Sequence, residues 1–238
     1  MANYHKDGKA WSGLQEKIKE YKAKITEVPM VIGGEKRESE DTFNSINPSN
    51  LNNVAKVHKA GPKDINQAID SALKAKKEWA GLDPKTRILL FRDLDTILKD
   101  RKDSIMAAAM VECGYNALEA EGGYAEMIDF MTFNPYFYDQ ILKERPGDGK
   151  GETNYFVQRP LKGFTTAITP FNFPIAIGYN LPTVMALTGN TVVWKPSSDA
   201  ALVSSLLMDS IKDAGFPDGV INMVPCKGSD FGKEALEN

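Results

Sequence analysis

The sequence predicts an α/β fold: a Rossmann-like parallel βαβαβ unit preceded by a helical region. Three observations predict it. Between residues 64 and 131, apolar residues recur at helical spacing. From residue 164 onward, short β-branched runs alternate with helix-period segments. Each of those runs ends in a loop marked by Pro or Gly, as strands of a parallel sheet joined by crossover helices do. The alternation stops after its third strand. It therefore reads as half of a doubly wound sheet, incomplete at the C-terminus, with one strand edge and its apolar faces uncovered.

The elements follow in order. Residues 1–26 are Lys-rich and weakly periodic, the pattern of a solvated helical arm. Met30-Val31-Ile32, the pair Gly33-Gly34 and a polar return predict a hairpin. Ser45 to Pro48 and Val54 to Val57 are short strands around an Asn-rich turn. Ile65, Ala68, Ile69, Ala72 and Leu73 fall on one helical face. Asp83-Pro84 is an N-cap followed by Pro at the first helical position, and Leu90, Leu94, Ile97 and Leu98 form the buried stripe of the helix it starts. A third helix follows Asp103 and stops near Gly114; a fourth carries Tyr124, Met127, Ile128 and Met131. Glu119, Glu121 and Glu126 are expected on its solvated face. A loop or hairpin occupies roughly residues 140–162, centred on Pro146 to Glu152. Phe164 to Thr169, Thr191 to Trp194 and Val220 to Val224 are the three parallel strands. The segment ending at Gly189-Asn190 and Ser197 to Ala214 are the helices between them.

Composition excludes several classes. A net charge of −3 and a pI near 5.6 argue against binding nucleic acid through phosphate charge. The longest purely apolar run, Ile105 to Val111, is far short of a membrane span. The N-terminal stretch has no apolar h-region, and with no Arg before Arg37 and with Glu16 and Glu20 it fits a presequence poorly. Two cysteines, Cys113 and Cys226, form no disulfide framework, and His5 and His58 alone supply no His-based metal cluster. The expectation is a soluble cytoplasmic protein without a bound metal.

No G-x-G-x-x-G or P-loop motif is present. The informative residues lie in the loops that follow the three strands. Thr169-Pro170-Phe171-Asn172-Phe173-Pro174 holds an Asn between two aromatics and two prolines. It is either a rigid β-to-α turn or a mount that presents Asn172 as a neutral donor to a developing oxyanion. Lys195, braced by Pro196 before Ser197-Ser198, suits a cofactor hydroxyl or phosphate at the sheet edge, and equally a snorkelling side chain. In Pro225-Cys226-Lys227-Gly228-Ser229, Gly228 would let a flat ring approach the backbone, or simply make a turn. The three loops share one edge of one sheet, which favours a nucleotide site. Cys226 has no base nearby and is read as a small apolar filler, and Cys113, at a helix end before Gly114, is read as structural.

Two segments carry a family resemblance: Ala167-Ile168-Thr169-Pro170-Phe171-Asn172-Phe173-Pro174, and Met185 through Thr188-Gly189-Asn190-Thr191-Val192-Val193-Trp194-Lys195-Pro196-Ser197. In order, spacing and setting they resemble the NAD(P)-dependent aldehyde dehydrogenases. Within that superfamily the chain is similar to the 1-pyrroline-5-carboxylate (L-glutamate γ-semialdehyde) dehydrogenases, on Pro-Phe-Asn-Phe, Trp-Lys-Pro-Ser, Glu126 to Phe130 and the stretch near Glu27-Val28-Pro29.

The resemblance implies an aldehyde dehydrogenase-like fold in which residues 27–238 are the N-terminal part of the NAD(P)-binding domain. It implies that Asn172 stabilises the thiohemiacetal oxyanion and that Thr169, Pro170 and Phe171 line the nicotinamide-ribose side. It further implies that Lys195 bonds the adenosine ribose hydroxyls and that Gly228 and Ser229 form the adenine-side turn. Ser198 stands where many NAD-specific members carry Glu, so NAD is the expected cofactor with NADP tolerated. In this family a Cys thiolate attacks the aldehyde and a Glu activates the hydrolytic water; both match positions downstream of this sequence. The expected activity is NAD-dependent oxidation of glutamate semialdehyde in proline catabolism, with residues 1–238 alone inactive. The alternatives are a non-catalytic nucleotide-binding relic and one subunit of a split enzyme. The expected partners are a small aldehyde substrate and either further copies of the chain or a missing catalytic half, with no nucleic acid and no membrane. The expected location is the cytoplasm, or the mitochondrial matrix in a eukaryote.

Overall fold

The chain runs α1 (Lys9–Ala23), β1 (Thr26–Val28), β2 (Met30–Ile32), β3 (Glu35–Arg37), β4 (Thr42–Ile46) and β5 (Asn53–His58). Four helices follow: α2 (Pro62–Gly81), α3 (Pro84–Asp100), α4 (Lys102–Glu112) and α5 (Ala117–Lys143). The last part is β6 (Thr165–Ile168), α6 (Ala176–Leu187), β7 (Val192–Lys195), α7 (Ala201–Asp213), β8 (Ile221–Met223) and a single-turn α8 (Gly228–Phe231). These come from a computed structural model that describes residues 8–237; His5 and the first seven residues of the expected arm lie outside the described residues.

The predicted βαβαβ unit is present. β6, β7 and β8 are parallel neighbours, with Ile168 opposite Lys195 and Trp194 opposite Met223. The predicted β2–β3 hairpin also forms, but it is not a separate feature. β2 pairs antiparallel with β8 through Val31 and Met223, which extends the sheet to five strands in the order β3-β2-β8-β7-β6. The hairpin turn needs its glycines. Gly34 has φ +79° and a Cβ there would lie 1.8 Å from Asp218 Oδ1. β1, β5 and β4 make a second, three-stranded sheet.

Both faces of the central sheet are covered, and period-two alternation divides them. Met30, Ile32, Val193 and Val224 pack on Ile65, Ala68, Ile69 and Ala72 of α2 and on Phe231 of α8. Val31, Val192, Trp194, Ile221 and Met223 face the other way, into the larger core with Phe91, Leu94, Met127, Tyr179 and Leu207.

Several sequence expectations need correction. The arm helix is docked, not solvated. Leu14 is fully buried, α1 packs along α4, and Tyr21 Oη lies 2.6 Å from Ser104 Oγ. Leu14, Ile18 and Tyr21 recur on one helical face, a stripe diluted by the surrounding lysines. Leu73 is exposed, at the margin of the α2 stripe. In α3 the most buried residues are Arg87, Ile88, Phe91, Leu94 and Leu98, whereas Leu90 and Ile97 only flank the core. Glu121 is buried because Lys102 meets it at 3.0 Å; Glu119 and Glu126 are exposed as expected. Of the loop or hairpin expected near residues 140–162, the loop forms and the hairpin does not. α5 continues to Lys143 through Pro135, and residues 144–164 contain no strand. The β-rich run Tyr155-Phe156-Val157 is exposed and finds no strand to pair with among the described residues.

One buried cation ties the helical layer together. The Arg87 guanidinium donates to the carbonyls of Leu187 (3.0 Å), Trp79 (3.2 Å) and Leu82 (2.6 Å) and to Tyr138 Oη (3.2 Å). It joins the C-terminal ends of α2 and α6 to α3 and α5, and supplies donors to carbonyls where those helices end. Arg87→Met keeps the volume and removes every donor. The expected loss is roughly 2–5 kcal/mol, at about 1–3 kcal/mol per abandoned buried group. Arg87→Lys should recover only part of it, because an ammonium cannot reproduce the planar fork. The urea midpoints of the two variants and the parent check this.

Candidate functional site

Parallel strands that pack side by side deliver their C-terminal ends to one edge, and here that edge gathers all three loops. The first two loops are bonded directly: the Thr169 N–H donates to the Lys195 carbonyl at 3.2 Å. The third follows because the Val224 N–H donates to the Trp194 carbonyl at 2.8 Å. Thr169 is buried and its Oγ1 accepts from Trp194 Nε1 at 2.9 Å, so the start of the first loop is fixed to the middle strand. Phe171, Asn172 and Phe173 then project as an exposed stretch before Pro174 returns to the interior. The Asn172 side chain takes no hydrogen-bond partner among the described residues. Its backbone carbonyl accepts from Tyr115 Oη at 2.5 Å.

Lys195 ends β7 almost fully buried, not snorkelled. Burial holds its ammonium below the usual lysine range, while Cys226 and Asp199 nearby favour the charge. Its hydrogen bond in the described structure goes to the Pro196 carbonyl at 3.0 Å, leaving capacity in a three-donor head group. That spare capacity fits a ribose diol. Ser198 opens a single 3₁₀ turn, capped by Ser197 Oγ accepting from the Asp199 N–H, and is half-buried. Gly228 and Ser229 are exposed at the start of α8. A Cβ at Gly228 would meet no atom of this chain, so no internal contact requires glycine there and a flat group has room against it.

Thr169, Pro170, Phe171, Lys195, Ser198, Gly228 and Ser229 therefore stand along one edge, with Asn172 on the outermost loop. Cys226 lies beside Lys195, and burial pushes its thiol up to about 11 despite the opposing pull of that cation. Burial also raises the Cys113 thiol, with the Glu112 and Asp199 charges adding to it. Protonated thiols at neutral pH are poor nucleophiles. His58 is held by Ser39 and by Glu27 at 3.0 Å. Among the described residues no group of three or more His, Cys, Asp or Glu side chains is placed to hold a metal ion, and no helix is long and apolar enough to cross a membrane.

The sequence reading missed two residues behind this edge. Glu112, fully enclosed, accepts from the backbone N–H groups of Leu202 (2.8 Å) and Val203 (2.9 Å), the first turn of α7. A carboxylate directly after the apolar run Ile105 to Val111 was the legible signal. Tyr115 is the other; nothing local to Gly114-Tyr115-Asn116 points to a partner 57 residues away.

A model of the aldehyde dehydrogenase family matches residues 35–238. The chain belongs to that family. It is 38% identical over 222 residues to the mitochondrial delta-1-pyrroline-5-carboxylate dehydrogenase of Mus musculus, covering 92% of this chain and 39% of that protein. It is 36% identical to the 1-pyrroline-5-carboxylate dehydrogenase of Staphylococcus epidermidis, covering 94% of this chain and 44% of that one. Crystal structures of the delta-pyrroline-5-carboxylate dehydrogenase of Mycobacterium tuberculosis, one of them bound with NAD, superpose over the whole chain with TM-score 0.96 at 34% identity and 45% coverage of their own length. This aldehyde dehydrogenase chain thus spans less than half the length of these relatives.

Glu112 gives the site a pH dependence. Burial pushes its carboxyl from 4.5 up to about 7, against the opposing pull of the Leu202 and Val203 bonds. A raised folded-state value means the native state binds the proton more tightly. The contribution is fully present below pH 4.5 and is lost as pH rises through about 7. Between pH 5 and 8 the urea midpoint of the parent should therefore fall relative to that of Glu112→Gln, which has no such titration. A difference that stays flat across that range would contradict the assignment.

Proposed function

We propose that the protein to which this chain belongs oxidises L-glutamate γ-semialdehyde, the open form of 1-pyrroline-5-carboxylate, to L-glutamate with NAD in proline catabolism. The chain supplies the N-terminal part of the cofactor-binding domain. The observation that carries the reading is the gathering of the three loops on one sheet edge, in a chain that superposes end to end on a relative solved with NAD. The names of the relatives support the substrate. We assign it to the cytoplasm, or to the mitochondrial matrix in a eukaryote, as the name of the mouse relative has it.

When bound, NAD supplies the hydride acceptor. The residues of this chain hold and orient it: Lys195 donates to the adenosine ribose hydroxyls, Gly228 and Ser229 flank the adenine, and Thr169, Pro170 and Phe171 line the nicotinamide-ribose side. Asn172 offers its side-chain amide to the oxygen of the aldehyde as charge develops there, the role in which a preorganised neutral donor is most effective. The nucleophile and the hydrolytic base come from the part of the relatives that this chain does not span. Cys113 and Cys226 are held protonated by burial and suit neither role. Residues 1–238 by themselves are accordingly inactive, and the β6 edge and the exposed run Tyr155-Phe156-Val157 are faces for the remainder of the protein or for a second copy.

The test is NAD-dependent turnover of glutamate semialdehyde by the full-length protein. In it, Asn172→Ala should lower kcat by about 10²–10³ with NAD affinity nearly unchanged. Weaker NAD binding with kcat spared would make Asn172 a turn residue. Cofactor choice is a second expectation. Ser198 cannot repel a 2′-phosphate and Lys195 attracts one, so NADP should be used measurably. Ser198→Glu should raise the NAD-over-NADP ratio of kcat/KM; an unmoved ratio would place residue 198 away from the ribose.

A further inference from the structure

The loop that carries Asn172 is anchored at both ends by the sheet and by α6. Thr169 is bonded to Lys195 and Trp194, and the Phe173 carbonyl accepts from the Gly178 N–H at 3.2 Å. Between these anchors the stretch Phe171 to Phe173 is exposed. Among the described residues, its one hydrogen bond to a distant part of the chain is the Tyr115 hydroxyl donating to the Asn172 carbonyl. Pinning that carbonyl fixes the peptide plane next to the Asn172 Cα, and so the direction in which its side chain leaves.

Tyr115 is itself held firmly. Gly114 before it has φ +75°, and a Cβ there would lie 2.8 Å from Pro48 Cγ, so this turn is specific to glycine. Asn116 after it caps α5, accepting from the Leu118 and Glu119 N–H groups while Glu119 Oε2 accepts from the Asn116 N–H. The ring packs on the main core cluster. The hydroxyl is therefore delivered from a rigid helix start to a loop that is otherwise free between its anchors. Burial pushes the phenol up to about 12, with the Cys113 and Glu119 charges adding to it, so it remains a donor at neutral pH.

We infer that Tyr115 is a positioning residue for catalysis, holding the backbone of Asn172 so that its amide is preorganised toward the developing oxyanion. The inference rests on the reading of Asn172 as the oxyanion donor. Positioning errors of this kind lower the rate without touching remote cofactor contacts.

The experiment uses the full-length protein and Tyr115→Phe, which removes one oxygen and keeps the ring. On whichever of glutamate semialdehyde or propionaldehyde the enzyme oxidises, kcat should fall about 3–10-fold, the effect of one neutral hydrogen bond. The NAD dissociation constant and Tm should stay unchanged. In an Asn172→Ala background the same substitution should cost nothing further, because the group it positions is gone. Independently of activity, amide hydrogen exchange of residues 171–178 in the NAD-free protein should quicken in Tyr115→Phe. An unchanged kcat, an equal loss in the Asn172→Ala background, or unchanged exchange would each overturn the inference. Turnover of propionaldehyde but not of glutamate semialdehyde would instead overturn the proposed substrate and leave this test intact.

Discussion

Parallel pairing of β6, β7 and β8 is the constraint on which the rest of the molecule depends. Parallel neighbours cannot be joined by a tight hairpin, so each connection must cross the sheet, and α6 and α7 are those crossings. The crossings cover the sheet, and they force every strand to end on the same side. The loops at residues 169–174, 195–198 and 225–229 meet there for that reason, and not through any attraction between them. The antiparallel addition of the β2–β3 hairpin leaves this edge intact, because it extends the sheet sideways beyond β8.

A sheet buried on both faces leaves little room for polar groups, and two of the charged residues buried here act at the ends of helices. Arg87 meets the terminal carbonyls of α2 and α6, and Glu112 meets the first N–H groups of α7. Each places a charge where the helix dipole favours it, a cation at a C-terminus and a carboxyl at an N-terminus. Burial has moved the Glu112 carboxyl to where its proton is exchanged near neutrality. Stability around the start of α7 is thus tied to pH.

The same burial separates roles at the sheet edge. Lys195 keeps unused donors although burial disfavours its charge, and burial keeps the neighbouring Cys226 protonated, which removes it from nucleophilic chemistry. The thiol at this edge adds no covalent step. The exposed loop of Asn172 is the part that reaches outward, and its backbone carbonyl accepts from the hydroxyl of Tyr115, a residue far away in sequence.

The sequence by itself determined the elements and the edge. Proline and glycine punctuation located the strand ends, helical periodicity found α2 to α7, and the alternation implied that the loops after the strands would share one side. Local order along the chain is enough for that, since parallel topology follows from the succession of strand and helix. What only the tertiary structure decided are contacts between residues far apart in sequence. The docking of α1 on α4, the joining of the hairpin to β8, the burial of Glu121 opposite Lys102, and the bond from Tyr115 to Asn172 belong to this group. So does the absence of a hairpin between residues 144 and 164, where a run with strand propensity meets no partner. Periodicity records which face of an element is apolar. It does not record which other element covers that face, because that choice is made by the packing of the whole core.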